Sequence, residues 1–218
     1  SSLNRTDLEA KSLTLEPIAA LSVAIPPGMR LLNLALVDIG AGTSDIALVK
    51  DGNVFAYAMV PLAGDELTEY LASQYLLDFD TAENAKRLLM KQDQIELYDI
   101  LGNCLQLSTQ ELQQELQPLV DEMTAEIAQN IIALNQKVTD AVVCVGGGSL
   151  TPSLTASLAE HLGIPANRVG IRTIQNIDYI TTDSGFLNSP QGITPLGIAY
   201  NHFTTPPVPF IKVSVNGR

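Results

Sequence analysis

One segment constrains the fold of this chain more than any other, residues 36–48, which read LVDIGAGTSDIAL. An apolar run ends at Asp38, passes through Gly40 and Gly42, and resumes just after Asp45. A strand that ends at a carboxylate and continues into glycines and a hydroxyl suits a metal-bound phosphate, because glycines let backbone N–H groups approach oxygens that a Cβ would keep away. The alternative interpretation is an ordinary hairpin turn.

A second strand pattern also ends in glycines. Residues 142–150 read VVCVGGGSL, an apolar run followed by three glycines and a serine. Thr151 is then a candidate helix N-cap and Pro152 a first-turn residue, so a helix N-terminus with its partial positive charge is expected beside this turn. Two such turns in one chain indicate a nucleotide held between them. A strand-to-helix turn that needs close packing is the alternative.

Composition narrows the class of protein. The 218 residues are 46% hydrophobic and 17% charged, with a formal net charge of -12. A large buried core is therefore expected, and binding to the phosphate backbone of nucleic acids is not. No apolar run approaches the ~20 residues that a membrane helix needs. Cys104 and Cys144 make no disulfide framework, so the sequence indicates a reduced, cytoplasmic setting and leaves open a membrane association through regions outside this chain.

The order of the predicted elements indicates an α/β fold. Three strands are expected at residues 31–37, 46–49 and 54–60, with Asp51-Gly52 as the hairpin signal between the last two. Further strands are expected at residues 141–145 and 169–171, and helices around Pro17, from Pro152 to Gly163, and at residues 192–200.

Residues 65–140 are a helical block between these strands. A helix opens at Gly64, residues 80–101 are helical in pattern, and Pro118 is expected to break or kink the helix around it. Because strands lie at both ends of the sequence and helices in the middle, the predicted fold is a mixed sheet flanked by helices, with an inserted, mainly helical subdomain.

These stretches together resemble the actin-like ATPase superfamily, which includes actin, heat-shock chaperone ATPases, sugar kinases and the bacterial FtsA and PilM proteins. DIGAGTSD resembles its second phosphate motif, CVGGGS its adenosine motif, and LEPIAAL and GITPLGIAYN its two hinge segments. PLAGDELTEYLA, at residues 61–72, follows the FtsA pattern, so FtsA-type cell-division proteins are the most similar branch. The resemblance covers nearly all of residues 15–203 and implies a ribonuclease H-like, actin-type ATPase lobe.

The resemblance also implies roles for individual residues. Asp38 would orient Mg²⁺ through its water shell, and Asp45 would hold water or a second cation. Glu16 would sense the metal across the hinge, although a solvated first-turn acid is an equal alternative. Asp38 and Glu16 are thus the catalytic candidates. The candidate residues for binding ATP or ADP are Gly40, Ala41, Gly42, Thr43, Asp45, Gly64, Asp65, Gly146, Gly147, Gly148 and Ser149.

The same resemblance implies a domain organisation for the chain. Residues 1–21 would be the end of an N-terminal lobe and its hinge, residues 22–64 and 141–203 the nucleotide-binding core, residues 65–140 the inserted subdomain, and residues 204–218 a linker and the start of a further domain. The first phosphate motif of the family belongs to the other lobe and is not found in this sequence. We therefore expect this chain to bind ATP weakly and to turn it over little.

The expected function is that of the second lobe of an FtsA-like ATPase, a nucleotide-dependent conformational switch in cell division or assembly. Its closed form would bind a partner or polymerise, with no nucleic acid and no membrane segment of this chain involved. A PilM-like assembly module, in which ATP is a structural ligand, is the alternative from another functional class. A chaperone-type or sugar-kinase-type member of the superfamily is a further alternative.

Overall fold

The computed structural model describes residues 14–25, 27–29, 31–174 and 185–204. Its α-helices within these ranges are α1 (Glu16–Ala24), α2 (Gly64–Tyr75), α3 (Phe79–Leu88), α4 (Thr109–Asn135), α5 (Leu154–Leu162) and α6 (Ile193–Thr204). Its strands are β1 (Leu34–Ile39), β2 (Ser44–Lys50), β3 (Asn53–Val60), β4 (Gln94–Tyr98), β5 (Cys104–Ser108), β6 (Ala141–Val145) and β7 (Val169–Ile171). Residues 205–218, part of the predicted linker and start of a further domain, lie outside the described residues, as do residues 1–13 of the predicted end of the N-terminal lobe.

Five of these strands form one mixed sheet in the order β3-β2-β1-β6-β7. β1, β2 and β3 run antiparallel to their neighbours in the predicted meander, while β6 and β7 continue the sheet in parallel with β1. The hairpin between β2 and β3 turns at Asp51 and Gly52, with φ of 50° and 79°. Two consecutive positive φ angles are what a tight hairpin requires, so the predicted hairpin and the mixed α/β sheet are confirmed.

Helices cover both faces of this sheet. Along β1, Ala35, Val37 and Ile39 belong to a core shared with α2, α4 and α5, whereas Leu34 and Leu36 pack with α1 and α6. Strand side chains alternate between faces, so all of β1 is buried. Asp38 is two residues after Leu36 in β1, so its side chain lies on the same face of the sheet, the face covered by α1 and α6.

The region between α2 and α4 is less helical than predicted. The helix expected over residues 80–101 ends with α3 at Leu88, and β4 pairs with β5 in a separate hairpin. Along β4, Ile95 and Leu97 are buried while their neighbours are exposed. Because every second residue is buried, one row of apolar side chains packs against the helices, as in a half-buried strand. This packing outweighs the charge-rich pattern from which a helix was predicted.

Pro118 does not break its helix. α4 is continuous from Thr109 to Asn135 with Pro118 inside it. A proline within a helix leaves the carbonyl four residues earlier without its usual donor. That carbonyl belongs to Gln114, and both residues are exposed, so water can satisfy it and the helix persists.

The helix after the second glycine turn begins later than predicted. A short 3₁₀ segment, Gly147–Leu150, follows Gly146 directly, and α5 starts only at Leu154. Ser153, rather than Thr151, is the N-cap, and its side chain makes no capping hydrogen bond. The glycines are therefore separated from the α5 N-terminus, and its partial charge does not adjoin them as expected.

Candidate functional site

The two glycine turns lie side by side at one edge of the sheet. β1 and β6 are parallel and pair Asp38 with Val145, so the turns that follow them leave the same edge. We call residues 40–43 the first turn and residues 146–149 the second turn. A Cβ on Gly148 would lie 3.2 Å from the carbonyl oxygen of Gly40. The two turns are therefore in direct contact.

The first turn offers backbone donors to solvent. Gly40 N–H donates to the Thr43 carbonyl at 2.9 Å and closes the turn, whose residues are all exposed. Within the described part of the chain, the N–H groups of Ala41 and Gly42 have no hydrogen-bond partner. The Thr43 hydroxyl is 3.4 Å from Asp45 Oδ2. This arrangement can donate several hydrogen bonds to one anion.

The second turn is closed on itself. Ser149 Oγ donates to the Gly146 carbonyl at 2.7 Å, and Gly146 N–H donates to the Pro190 carbonyl at 3.1 Å. Gly148 and Ser149 are buried. Gly146 has a φ of 81° and faces Asp38 and Ile39 so closely that no Cβ would fit. Close packing therefore accounts for Gly146 and Gly148, while Gly147 faces the Gln191 side chain.

The start of α2 holds the first turn in place. Gly64 N–H donates to the Gly40 carbonyl at 3.2 Å, and Asp65 N–H donates to the Ala41 carbonyl at 2.7 Å. The backbone donors of Gly64 and Asp65, both proposed from the sequence to bind nucleotide, are thus committed to the turn. A Cβ on Gly42 would lie 3.8 Å from Asp65 Oδ2, so the Asp65 side chain adjoins the turn.

Besides Asp65, the carboxylates of Asp38, Asp45 and Glu16 lie close enough together near the first turn to interact electrostatically. Asp38 and Asp45 are directly opposite each other on β1 and β2, and like charges so placed repel. Burial raises the pKa of Asp38, and the negative charge of Asp45 adds to that rise. Burial also raises the pKa of Glu16, followed by the charges of Asp38 and Asp45. The sequence-predicted acids therefore share one electrostatic environment.

No cationic side chain compensates these acids in the described ranges, where the ion pairs found join Glu83 to Lys86 and Arg87. The described residues also contain no set of three acidic, histidine or cysteine side chains close enough to ligate one metal ion. Mg²⁺ keeps several waters and takes few carboxylates, and the roles of Asp38 and Asp45 as metal residues stay predictions.

Thr194 is a site residue to which sequence reasoning gave no role. Its hydroxyl donates to Asp38 Oδ2 at 2.5 Å from α6, and this hydrogen bond opposes the rise in the pKa of Asp38. Thr194 lies inside the predicted hinge segment, but its partner is 156 residues away. α6 also packs tightly on α1, where Gly197 leaves no room for a Cβ against the backbone of Ala19. The two predicted hinge segments thus form one helix pair beside Asp38.

The family model for "Cell division protein FtsA" matches residues 35–197 of this chain. The chain belongs to the FtsA family. FtsA of Borreliella burgdorferi is 26% identical over 183 residues, covering 78% of this chain and 44% of that protein. FtsA of Pseudomonas aeruginosa is 25% identical over 202 residues, covering 85% of this chain and 48% of that protein. The chain spans about half the length of the FtsA relatives that it matches.

Solved structures confirm the actin-like ATPase fold. The PilM-PilN type IV pilus biogenesis complex aligns with a TM-score of 0.68 at 21% identity, covering 92% of this chain and 55% of that chain. An MreB of Spiroplasma citri bound to AMPPNP aligns with a TM-score of 0.59 at 19% identity, covering 87% of this chain and 58% of that chain. In the described part of this FtsA-family chain, no helix combines the length and apolar composition that crossing a bilayer requires.

Proposed function

We propose that this chain is the second lobe of an FtsA-type ATPase and binds Mg²⁺ with ATP or ADP at the sheet edge where its two glycine turns meet. Binding switches the conformation of the intact protein, and the closed form associates with a partner or with further copies. The observation that carries the proposal is the direct contact between the first turn and the second turn at one edge of the sheet. Nucleotide bound to an MreB of the same fold supports it.

The two turns contribute differently to this site. The free N–H groups of Ala41 and Gly42, with the Thr43 hydroxyl, donate to phosphate oxygens. The second turn, in which Gly148 and Ser149 are buried and the Ser149 hydroxyl donates to the Gly146 carbonyl, forms a rigid wall against which the nucleoside lies. Gly64 and Asp65 hold the first turn through its carbonyl oxygens.

The acidic group fits a divalent cation. Asp38 is 7% exposed and lies opposite Asp45, so a cation relieves the repulsion between two carboxylates in a poorly solvated place. Thr194 fixes the orientation of Asp38 by hydrogen bonding, as outer-shell partners do for metal ligands. When bound, Mg²⁺ neutralises phosphate charge and orients the phosphates.

Thermal unfolding with and without Mg²⁺-ATP tests the proposal. A ligand that binds only the folded state stabilises by mass action, by about 2.7 kcal/mol at a hundredfold excess over its dissociation constant. We expect the melting temperature of the wild type to rise with Mg²⁺-ATP, and we expect Asp38→Ala to abolish that rise. The matched control is Glu69→Ala, because Glu69 is an exposed acid on α2 and its loss leaves the rise unchanged. A wild type that shows no shift at saturating ligand contradicts the proposal.

Assembly without catalysis is the second candidate function, and an exposed apolar surface favours it. Large apolar side chains at the α2–α3 junction and the β4–β5 tip are 47% to 72% exposed, namely Leu76, Phe79, Tyr98, Ile100 and Leu101. Exposed apolar clusters mark interaction surfaces. ATP turnover by the intact protein, measured over a range of protein concentrations, separates the candidates, because a switch that polymerises is stimulated by self-association and a scaffold is not.

A further inference from the structure

The end of the sheet opposite the glycine turns carries a cavity of about 580 Å³. It is lined by Lys50, Asp51, Asn53 and Phe55 of the β2–β3 hairpin and by residues 135–137, where α4 ends. β2 starts beside the first turn and advances about 3.4 Å per residue, so the hairpin lies about 20 Å from that turn. Small-molecule sites have volumes of about 300–1,000 Å³, so the cavity is large enough for a ligand of its own.

Two lysines from distant parts of the sequence line this cavity together. Lys50 ends β2, and Lys137 follows the C-terminus of α4. Among the described residues, neither forms an ion pair. Asp51 contributes one carboxylate to the same lining, which leaves one positive charge in excess. In a chain with 24 acidic and 12 basic residues, two unpaired lysines at one cavity indicate a site for an anion.

The backbone that carries Lys137 is held in place by buried side chains. Asn135 is 8% exposed, and its Nδ2 donates to the Lys137 carbonyl at 2.7 Å. Asn33 donates from Nδ2 to the Val138 carbonyl at 3.3 Å and from its N–H to Asp140 Oδ2 at 2.9 Å. Asn135 Oδ1 is buried without a donor among the described residues, which costs free energy. Stability of the fold alone therefore does not account for this asparagine, whereas holding Lys137 at the cavity does.

Phe55 gives the cavity an apolar wall. Val49 pairs with Val54 and Leu48 with Ala56, so Phe55 is the extra residue of a β-bulge. A bulge redirects a side chain, and Phe55 is 47% exposed where it lines the cavity. An anion with an aromatic or other apolar part can therefore contact the lysines and this ring together.

We propose that this cavity is a second ligand site, which takes a small organic phosphate. Lys50 and Lys137 bind the phosphate dianion as two compact charges, and Phe55 packs against the apolar part of the ligand. A phosphate is favoured over a carboxylate because its second negative charge matches the second ammonium group. The site is separate from the glycine turns, so it does not depend on the proposed nucleotide function.

Calorimetry with phenyl phosphate as the probe tests the proposal on the intact protein, without nucleotide or Mg²⁺. We expect Lys50→Met and Lys137→Met each to weaken binding roughly tenfold, since a hydrogen bond to a charged group is worth about that factor. Lys91→Met is the matched control, because Lys91 is an exposed lysine outside the cavity, and it leaves the affinity unchanged. A wild type that does not bind millimolar phenyl phosphate overturns the proposal, as does an equal loss in all three variants.

Two further variants test the individual contacts. Asp51→Asn removes a repelling charge, so we expect it to tighten phenyl phosphate roughly threefold, and asparagine tolerates the φ of 50° at this position. Phe55→Ala should weaken phenyl phosphate roughly fivefold and leave inorganic phosphate unchanged, because only the former has a ring. If benzoate binds more tightly than phenyl phosphate, the assignment to a phosphate is overturned.

Amide chemical shifts locate the probe. We expect phenyl phosphate to move the amide signals of Gly52 and Lys137 and not those of Ala41 and Gly42. Shifts confined to Ala41 and Gly42 would place the probe at the first turn and overturn the second site. If Mg²⁺-ATP does not bind, the proposed function fails, and the signals of Gly52 and Lys137 still decide whether this cavity is a site.

Discussion

The two glycine turns look alike in the sequence and differ in the folded protein. The first turn is exposed and leaves the N–H groups of Ala41 and Gly42 without partners in the described structure. In the second turn, Gly148 and Ser149 are buried, and the Ser149 hydroxyl and the Gly146 N–H donate to carbonyl oxygens of the protein. The first turn therefore has backbone donors available to a ligand, whereas the second turn packs against the first.

Glycine therefore occurs in the two turns for different reasons. In the second turn, Gly146 and Gly148 are required because Asp38, Ile39 and Gly40 occupy the space of a Cβ. In the first turn, a Cβ on Gly42 would have its nearest neighbour at 3.8 Å, so the protein itself does not demand glycine there. A requirement for glycine at Gly42 must come from a ligand, whereas at Gly146 it comes from the fold.

The largest effect expected from this comparison is on folding. Gly146→Ala forces a Cβ against Ile39 and places alanine at a φ of 81°. Overpacking costs about 1–3 kcal/mol and a left-handed non-glycine residue about 1–2 kcal/mol more. We expect a loss of roughly 3 kcal/mol or more in the free energy of unfolding, measured by urea denaturation. A variant as stable as wild type would show that the second turn is not a packing device.

The second-largest expected effect is on ligand affinity, with little change in the stability of the fold. Gly42→Ala introduces a Cβ whose nearest neighbour, Asp65 Oδ2, is at an ordinary contact distance of 3.8 Å, so we expect the free energy of unfolding to change by less than about 0.5 kcal/mol. The same Cβ obstructs the close approach of phosphate. We expect the affinity for Mg²⁺-ATP to fall roughly tenfold, measured by calorimetry. Unchanged affinity would show that the turn does not receive phosphate.

The turn residues and the apolar pattern of the strands were sufficient to predict the core of the fold. The apolar runs and Asp51-Gly52 predicted the β1–β3 meander, and the parallel pairing of β1 with β6 brings the two predicted turns together. The assigned roles of individual site residues stay predictions. Sequence reasoning failed at residues 94–98, where packing of Ile95 and Leu97 outweighs a helical charge pattern. The predicted break at Pro118 is also absent, since α4 continues through Pro118, and Gln114, whose carbonyl loses its donor, is exposed to solvent.

Other features of the site could not be read from the sequence because they depend on distant contacts. The Thr194 hydrogen bond to Asp38 joins residues 156 positions apart. The different surroundings of the two turns depend on which glycines pack against protein and which face solvent.

A smaller effect is expected when the hydrogen bond inside the second turn is removed. Ser149→Ala removes a buried hydroxyl that donates to the Gly146 carbonyl at 2.7 Å. A hydrogen bond of this kind contributes about 1 kcal/mol, so we expect that loss in urea denaturation. Because the hydroxyl is committed within the turn, Mg²⁺-ATP affinity should fall less than in Gly42→Ala. An affinity loss without a stability loss would instead make Ser149 a direct ligand contact.

The smallest effect concerns Asp38, which precedes the first turn and touches the second. Burial, followed by the charge of Asp45, raises the pKa of Asp38 above its ordinary 3.8. An acid with a raised folded-state pKa adds stability below its unfolded pKa, and that contribution is lost as pH rises through the folded value. We therefore expect the ligand-free variant Asp38→Asn to gain stability relative to wild type as the pH rises above about 4, in a series of urea denaturations at increasing pH. Mg²⁺-ATP should reverse the order, because it stabilises only the wild type. A constant difference across this range would mean that the charge of Asp38 is already compensated within the protein, and the site would then have no need of a cation.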